Sequence, residues 1–213
     1  MVKRISPIDS VTKRSMDLFL GLFAIVMLAP LLAMLSLMVA VFIGRPIFFR
    51  QLRPGLNGLS FTLYKFRTMT EKKDECGELL PDRLRLTRLG AMLRGPKSNW
   101  TTTFVLVVKG EMSLIGPRPL LLQYMPYYTE REYLRNTVRP GITGWAQVWG
   151  RNTVSWDQRL EMDVWYIENW SILLDIRILF RTIITVIRKE GVSVDSYEIE
   201  KDLDEERREA MSM

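Results

Sequence analysis

Residues 18–43 contain no charged side chain, and that run constrains the fold more than any other feature of the sequence. Roughly 20 apolar residues suffice to cross a hydrocarbon core of about 30 Å, so the segment has the length of a membrane helix. It is too long for the apolar stretch of a secretory signal, and no small-x-small cleavage site precedes the polar region. Ala29 and Pro30 fall close to its midpoint. Proline removes a backbone donor and crowds the preceding turn, so a kink or break is expected at Pro30. Lys3, Arg4, Lys13 and Arg14 precede the run, and Arg45, Arg50 and Arg53 follow it. Bases on both flanks leave the positive-inside rule without an outer side. A proline-kinked spanning helix is the commoner arrangement. A helix that enters, breaks at Pro30 and returns keeps both flanks cytoplasmic, and the charges favour that re-entrant form.

The 213 residues leave room for one domain with a core besides this segment. Net charge is +6, and the acids gather after Asp195, so the preceding body is strongly basic. Such a body suits anionic headgroups and phosphate-bearing substrates. No nucleic-acid module is visible, so nucleic acid is not expected as a partner. The chain has no histidine and one cysteine, Cys76. Ser-His triads, His-containing zinc sites and intramolecular disulfides are therefore excluded. Chemistry must rest on carboxylates, Lys, Arg, hydroxyls or a metal held by oxygen.

Residues 47–51 and 61–66 read as two short strands around a Pro-Gly and Asn-Gly turn region. Residues 70–83 are charged and loop-like, and residues 87–94 suit a short helix. Residues 109–119 and 139–152 are loops punctuated by Gly and Pro. Ser155 can cap a helix, with Gln158 at its third position as in a capping box. Trp156, Leu160, Val164 and Ile167 then share one face. A second helix is expected over about residues 171–190, ending at Gly191. Its Ile and Leu residues form either ordinary core or a face lying on the membrane. The acidic residues after Asp195 suit a fraying helix or disorder. The fold class expected is α+β, mostly helical, with a small β-hairpin and an N-terminal re-entrant membrane helix broken at Pro30. Residues 1–45 form the anchor, residues 46–193 the domain and residues 194–213 an acidic tail.

Several cations suit phosphate chemistry. Lys65 and Arg67 flank Phe66, so alternation on a strand gives them a shared face. Arg118 stands between two prolines, which limit its backbone and aim its guanidinium. Arg139 and Arg151 bracket a glycine-rich loop whose backbone can approach a nucleotide closely. Each alone is more simply a solvated surface cation.

Six segments carry a resemblance: KRSMDLFLGLFAIVMLAP, FFRQLRPGLNGLSFTLYKFRTM, GEL, KGEMSLIGPRPLL, VRPGITGWAQVWGRN and DVWYIENWSILLDIRIL. In their order and spacing the chain resembles the bacterial sugar transferases, the monotopic polyprenyl-phosphate phosphoglycosyl transferases, in their minimal single-domain form. The resemblance implies a domain on the cytoplasmic face of the bacterial inner membrane, fastened by a re-entrant helix. It also implies the reaction, which starts a glycan. An Asp attacks the β-phosphate of a UDP-sugar with Mg²⁺ as cofactor, UMP leaves, and the sugar phosphate passes to polyprenyl (undecaprenyl) phosphate. Lys65, Arg67, Arg118, Arg139, Gln147 and Arg151 are the phosphate- and substrate-binding candidates. Oligomeric state is left open.

One window departs from the family. The pattern R-S-L-D-E-L-P-Q-L-F-N-V-L-K-G-D-M, aligned without a gap on Lys109 and Gly110, puts its Asp-Glu dyad at Asn99 and Trp100. Residues 95–107 match almost nothing of the pattern, whereas both flanks match closely. An amide is a poor nucleophile towards phosphorus and a weak Mg²⁺ ligand, and an indole replaces a carboxylate in no role. Thr101, Thr102, Thr103, Val105, Val107 and Val108 favour strand where the resemblance implies helix. Gly95-Pro96 disfavours a helix continuing from Arg94. Three readings stand: an inactive paralogue that binds nucleotide, lipid or a partner as a scaffold or regulator; another carboxylate in the nucleophile's place, Glu111 being nearest and Asp163 or Glu161 further off; or a local alteration of an active parent. Glu111 is more simply a loop residue.

Overall fold

The computed structural model describes residues 7–93, 100–150, 154–188 and 202–212. Helix α1 (Pro7–Phe42) takes up the apolar run except its last residue, Ile43, and is long and apolar enough to cross a membrane. It passes through Pro30 without interruption, so the expected break does not appear as a gap in the helix. A proline forfeits one i→i−4 bond, and the Leu, Ala and Met residues on either side propagate the helix past it.

Both ends of α1 are fastened to the domain. At the N-terminal end Lys13 Nζ donates to the Asp175 carboxylate and the Ile115 carbonyl. Arg14 donates to the carbonyls of Val107 and Val108 at 2.7 and 2.8 Å, and Asp17 accepts from the Leu114 amide at 3.0 Å. At the other end Val39 is fully buried with Phe66 and Leu93. Between them Leu22, Phe23, Val26, Met27, Leu31, Met34 and Leu37 are exposed.

Strands β1 (Phe48–Pro54) and β2 (Ser60–Phe66) pair antiparallel, with Phe48 opposite Phe66 and Pro54 opposite Ser60. The Asn57-Gly58 pair supplies the left-handed residues of the turn, at φ 55° and 76°. Short helices α2 (Asp82–Arg85) and α3 (Arg88–Leu93) follow. Thr87 caps α3, its hydroxyl accepting from the Gly90 amide at 2.8 Å.

Helix α4 (Trp100–Lys109) corrects the strand preference of its Thr and Val residues. Thr102, Thr103, Leu106 and Val107 are buried at helical spacing against α1 and β2, and Thr102 Oγ1 donates to the Tyr64 carbonyl at 2.6 Å. Packing of that face outweighs a propensity difference of a few tenths of a kcal/mol per residue. At Gly110 (φ 89°) the chain turns out of α4, as a residue past a helix C-terminus often does.

Strand β3 (Ser113–Ile115) lies parallel to β4 (Gly141–Thr143), with α5 (Glu130–Tyr133) between them in the chain. Helix α6 (Trp156–Glu168) is capped by Ser155, which accepts from the Gln158 amide. Helix α7 (Ile172–Arg188) buries Asp175 and Ile178 in the core with Tyr166, Leu106 and Ile115, yet exposes Leu173, Ile176, Phe180, Ile183, Ile184 and Ile187. Most of its apolar residues are therefore not core. Helix α8 (Leu203–Ser212) corrects the fraying expected of the acidic tail. Leu203 is fully buried among Leu120, Tyr124, Trp156 and Leu160. The Tyr124 hydroxyl donates to Asp202, and Arg207 bonds Glu132 and Asp157. One apolar anchor and these polar contacts outweigh the mutual repulsion of the tail's acids.

Asp175 accepts from Lys13, from the Tyr166 hydroxyl at 2.7 Å and from Trp170 Nε1 at 3.2 Å. Asp175→Ala should cost about 3–5 kcal/mol, because it removes the counter-ion of Lys13 and the acceptor shared by Tyr166 and Trp170 in the interior. Urea unfolding in detergent micelles measures this; a loss below about 1 kcal/mol contradicts the role given to Asp175.

Candidate active site

The hairpin supplies the first cations. Gln51 and Arg53 lie two residues apart on β1, opposite Leu63 and Phe61, and so share a face with Leu63 and Lys65 on β2. The Gln51 side-chain oxygen accepts from Arg53 at 2.8 Å and from Lys65 Nζ at 3.1 Å. It thereby holds two positive groups side by side over a cavity of about 280 Å³. Arg118 lines the same cavity from the loop after β3, Thr103 from the first turn or so of α4, and Gln147 from a π-helical turn at Ala146–Gly150. No carboxylate lines it among the described residues.

Crowding of cations sets the electrostatics. Burial, then the neighbouring charges of Arg53 and Arg118, push the Lys65 pKa below its ordinary value. Arg53 is lowered by burial and by Arg118, and Arg118 by burial and by Arg159. Arg118 is solvent-exposed and lines the recess, so its charge is available to a ligand there. Three cations held together without an acid form a site for a multiply charged anion. Gln147 adds neutral hydrogen bonding: both ends of its amide are buried and neither has a partner. Thr185 Oγ1 and Arg53 Nε, on the same lining, are likewise buried without a partner. Groups of this kind are costly to bury unless a ligand satisfies them.

A second recess of about 380 Å³ shares Arg118, Leu120 and Gln147 with the first. Arg135 stands there in a buried ion pair with Asp163 at 2.7 Å and donates to the Arg118 carbonyl at 2.8 Å. The side chain of Arg159 lies over the Trp156 ring, 4.6 Å from its centre.

Of the cations expected in the site, Lys65 and Arg118 meet, with Gln147 beside them. Arg67 does not join them. Strand β2 ends at Phe66, so alternation no longer governs Arg67, which is engaged with the carbonyls of Met69 and Arg45 and with Glu71. Arg139 lies elsewhere too, donating to the Gly110 carbonyl at 2.8 Å. The glycines of its loop are spent on packing rather than on a nucleotide: a Cβ at Gly141 would sit 2.1 Å from the Gly116 nitrogen. Glu111 is exposed and absent from the cavity lining. Asp163 is paired with Arg135, and Glu161 with Arg131 at the surface. Asn99 and Arg151 lie outside the described residues; Trp100 opens α4. Arg53, one of the charges that follow the apolar run, also belongs to the site, and alternation along β1 from Gln51 is the signal that marks it.

The sequence model of the family described as bacterial sugar transferase matches residues 8–189. The chain belongs to the bacterial sugar transferase family. It is 47% identical over 182 residues to the uncharacterised sugar transferase EpsL of Bacillus subtilis (strain 168), covering 85% of this chain and 90% of that protein. It is 34% identical over 206 residues to the exopolysaccharide production protein ExoY of Sinorhizobium fredii, covering 88% and 90%. A UDP-N-acetylgalactosamine-undecaprenyl-phosphate N-acetylgalactosaminephosphotransferase of Aeromonas hydrophila is 36% identical over 195 residues. There the match covers 87% of this sugar transferase but 46% of the longer relative.

Magnesium asks for oxygen donors, usually including carboxylates. Among the described residues this sugar transferase gathers no group of three Asp, Glu, His or Cys side chains, and the cavity lining has no acid. The described donor set does not fit the ion.

The depressed Lys65 pKa gives a pH signature. A bound anion favours the charged lysine and draws its pKa back up, so binding takes up a proton above the free-site pKa. Pyrophosphate affinity should therefore fall as pH rises towards the ordinary lysine range, more steeply than in Lys65→Arg, which stays charged. Calorimetry in buffers of differing ionisation enthalpy reads the proton uptake. Identical pH profiles for the two proteins contradict this.

Proposed function

We propose that the Arg53, Lys65, Arg118 and Gln147 cavity binds the diphosphate of a UDP-sugar, and that the family reaction moves its sugar phosphate to polyprenyl phosphate. The observation carrying this is a cluster of three cations with no acid, lining one cavity inside a family match that spans nearly the whole chain. In that reaction an acceptor oxygen bonds to the β-phosphorus, and the bond to the bridging oxygen breaks. The electron pair leaves on UMP. Arg53, Lys65 and Arg118 neutralise charge that builds on the phosphoryl oxygens, which is where fixed cations lower a barrier most. The Gln147 amide, with its donor and acceptor both free, orients the ligand.

The membrane anchor supports the same reading. A spanning helix carries its ends into opposite water phases, about 30 Å apart. Both ends of α1 meet one domain, and the exposed apolar middle lies between them. The re-entrant arrangement, with the domain on the cytoplasmic face, accounts for this and brings the cavity to a lipid acceptor.

Position 99 limits the rate. The family's covalent step needs an anionic oxygen, and Asn99 offers a neutral amide. No carboxylate among the described cavity residues stands in for it, which favours binding without efficient turnover in the chain as it stands. The test is UMP release from UDP-sugars with polyprenyl phosphate, with and without Mg²⁺. The native chain should run slower than Asn99→Asp/Trp100→Glu by about 10⁴-fold or more, the scale seen when a nucleophile is deleted. Equal rates would sink the nucleophile argument. Silence of the double variant, with UDP still bound, leaves the scaffold reading in possession.

A further inference from the structure

A third recess, of about 220 Å³, opens between α4 and α7. Phe104, Leu114, Leu179, Ile183 and Ile187 line it, and its only polar side chains are Thr143 and Thr182. Those two hydroxyls bond each other at 2.8 Å, and Thr182 also reaches the Ile178 carbonyl at 2.8 Å. The groove therefore asks nothing polar of an occupant. It adjoins the cationic cavity, because Ile142, Thr143, Thr182 and Val186 line both. Three cations thus stand in one recess and hydrocarbon in its neighbour.

The groove runs onto the exposed stripe of α7. Ile187 is 74% exposed and Phe180 64%, at the spacing of one helix face. Arg177 and Arg188, also exposed, lie on the same helix, as on helices that rest in a membrane interface. A nucleotide sugar is polar throughout and gains nothing from such a groove. An amphiphile with one anionic head and a hydrocarbon tail satisfies both adjoining recesses at once.

We propose that this groove between α4 and α7 holds the hydrocarbon chain of the lipid-phosphate acceptor, with its phosphate delivered to Arg53, Lys65 and Arg118. This rests on the transfer reaction proposed above for the identity of the lipid, while the binding itself can be read without turnover. Thr185, whose hydroxyl is buried without a partner on the cavity lining, stands one residue before the shared Val186 and is placed to donate to the arriving phosphate.

The test is photolabelling of the full chain, in vesicles, with a prenyl phosphate carrying a diazirine on its hydrocarbon chain, followed by mass-spectrometric mapping. Adducts should fall on Phe104, Leu179 and Ile183, and undecaprenyl phosphate should compete better than undecaprenol. Ile183→Asp and Ile187→Asp, both at exposed positions, should each lower that labelling at least tenfold and leave UDP binding unchanged. Adducts confined to α1, or labelling undiminished in both variants, would overturn the proposal. Loss of labelling through dimerisation along α7 would give the groove to a second copy and overturn it equally. The two proposals fail separately. Labelling in the groove without UMP release leaves the groove standing and counts against transfer; UMP release with adducts elsewhere does the reverse.

Discussion

The buried carboxylate of Asp175 is the point on which the rest of the structure hangs. It belongs to α7, yet its main partner is Lys13, near the start of α1. Tyr166 of α6 and Trp170 of the α6–α7 turn bond the same group. Three side chains, from the first helix and from residues 166 and 170, thus meet at one acid with no exposed surface. Burying an ion pair is rarely a gain over apolar packing, so its value here lies in register: it fixes which turn of α1 meets the core. Arg14 and Asp17, one turn of α1 or less away, repeat the fastening on α4 and β3.

That register sets out the working surfaces. With α1 held along α4, Thr103 of α4 lines the cavity and its neighbour Phe104 lines the apolar groove. The hairpin closes the cavity with Arg53 and Lys65, and α7 closes the groove. Charge and hydrocarbon line adjoining recesses, while the exposed apolar residues of α1 and α7 provide surfaces suited to a bilayer. A soluble enzyme acting on a nucleotide alone would have little reason for either surface.

Much of this was legible in the sequence where local chemistry decides. The uncharged run, the hairpin with its Asn57-Gly58 turn and the Ser155 cap rest on charge and turn residues. Tertiary contacts decided the rest. Thr102 and Val107 lie in a helix because that face is buried, whatever their preference for strand. Arg67 and Arg139 were drawn away by carbonyls that nothing in the sequence marks as near. Leu203 turned an acidic tail into a docked helix by finding Leu120, Trp156 and Leu160, and α8 lies beyond the stretch that matches the family. Gly141 belongs to a loop whose backbone looked able to approach a nucleotide, and it instead lets that loop touch Gly116.

If both ends of α1 belong to one domain, both flanks of the membrane segment share one water phase. Single cysteines at Val11 and Leu59, exposed positions before and after the segment, report this once Cys76 is replaced by serine. A membrane-impermeant maleimide applied to inverted inner-membrane vesicles and to intact spheroplasts distinguishes the two faces. The account predicts that both cysteines react in the inverted vesicles and neither in the spheroplasts. Reaction of the two from opposite sides would contradict it.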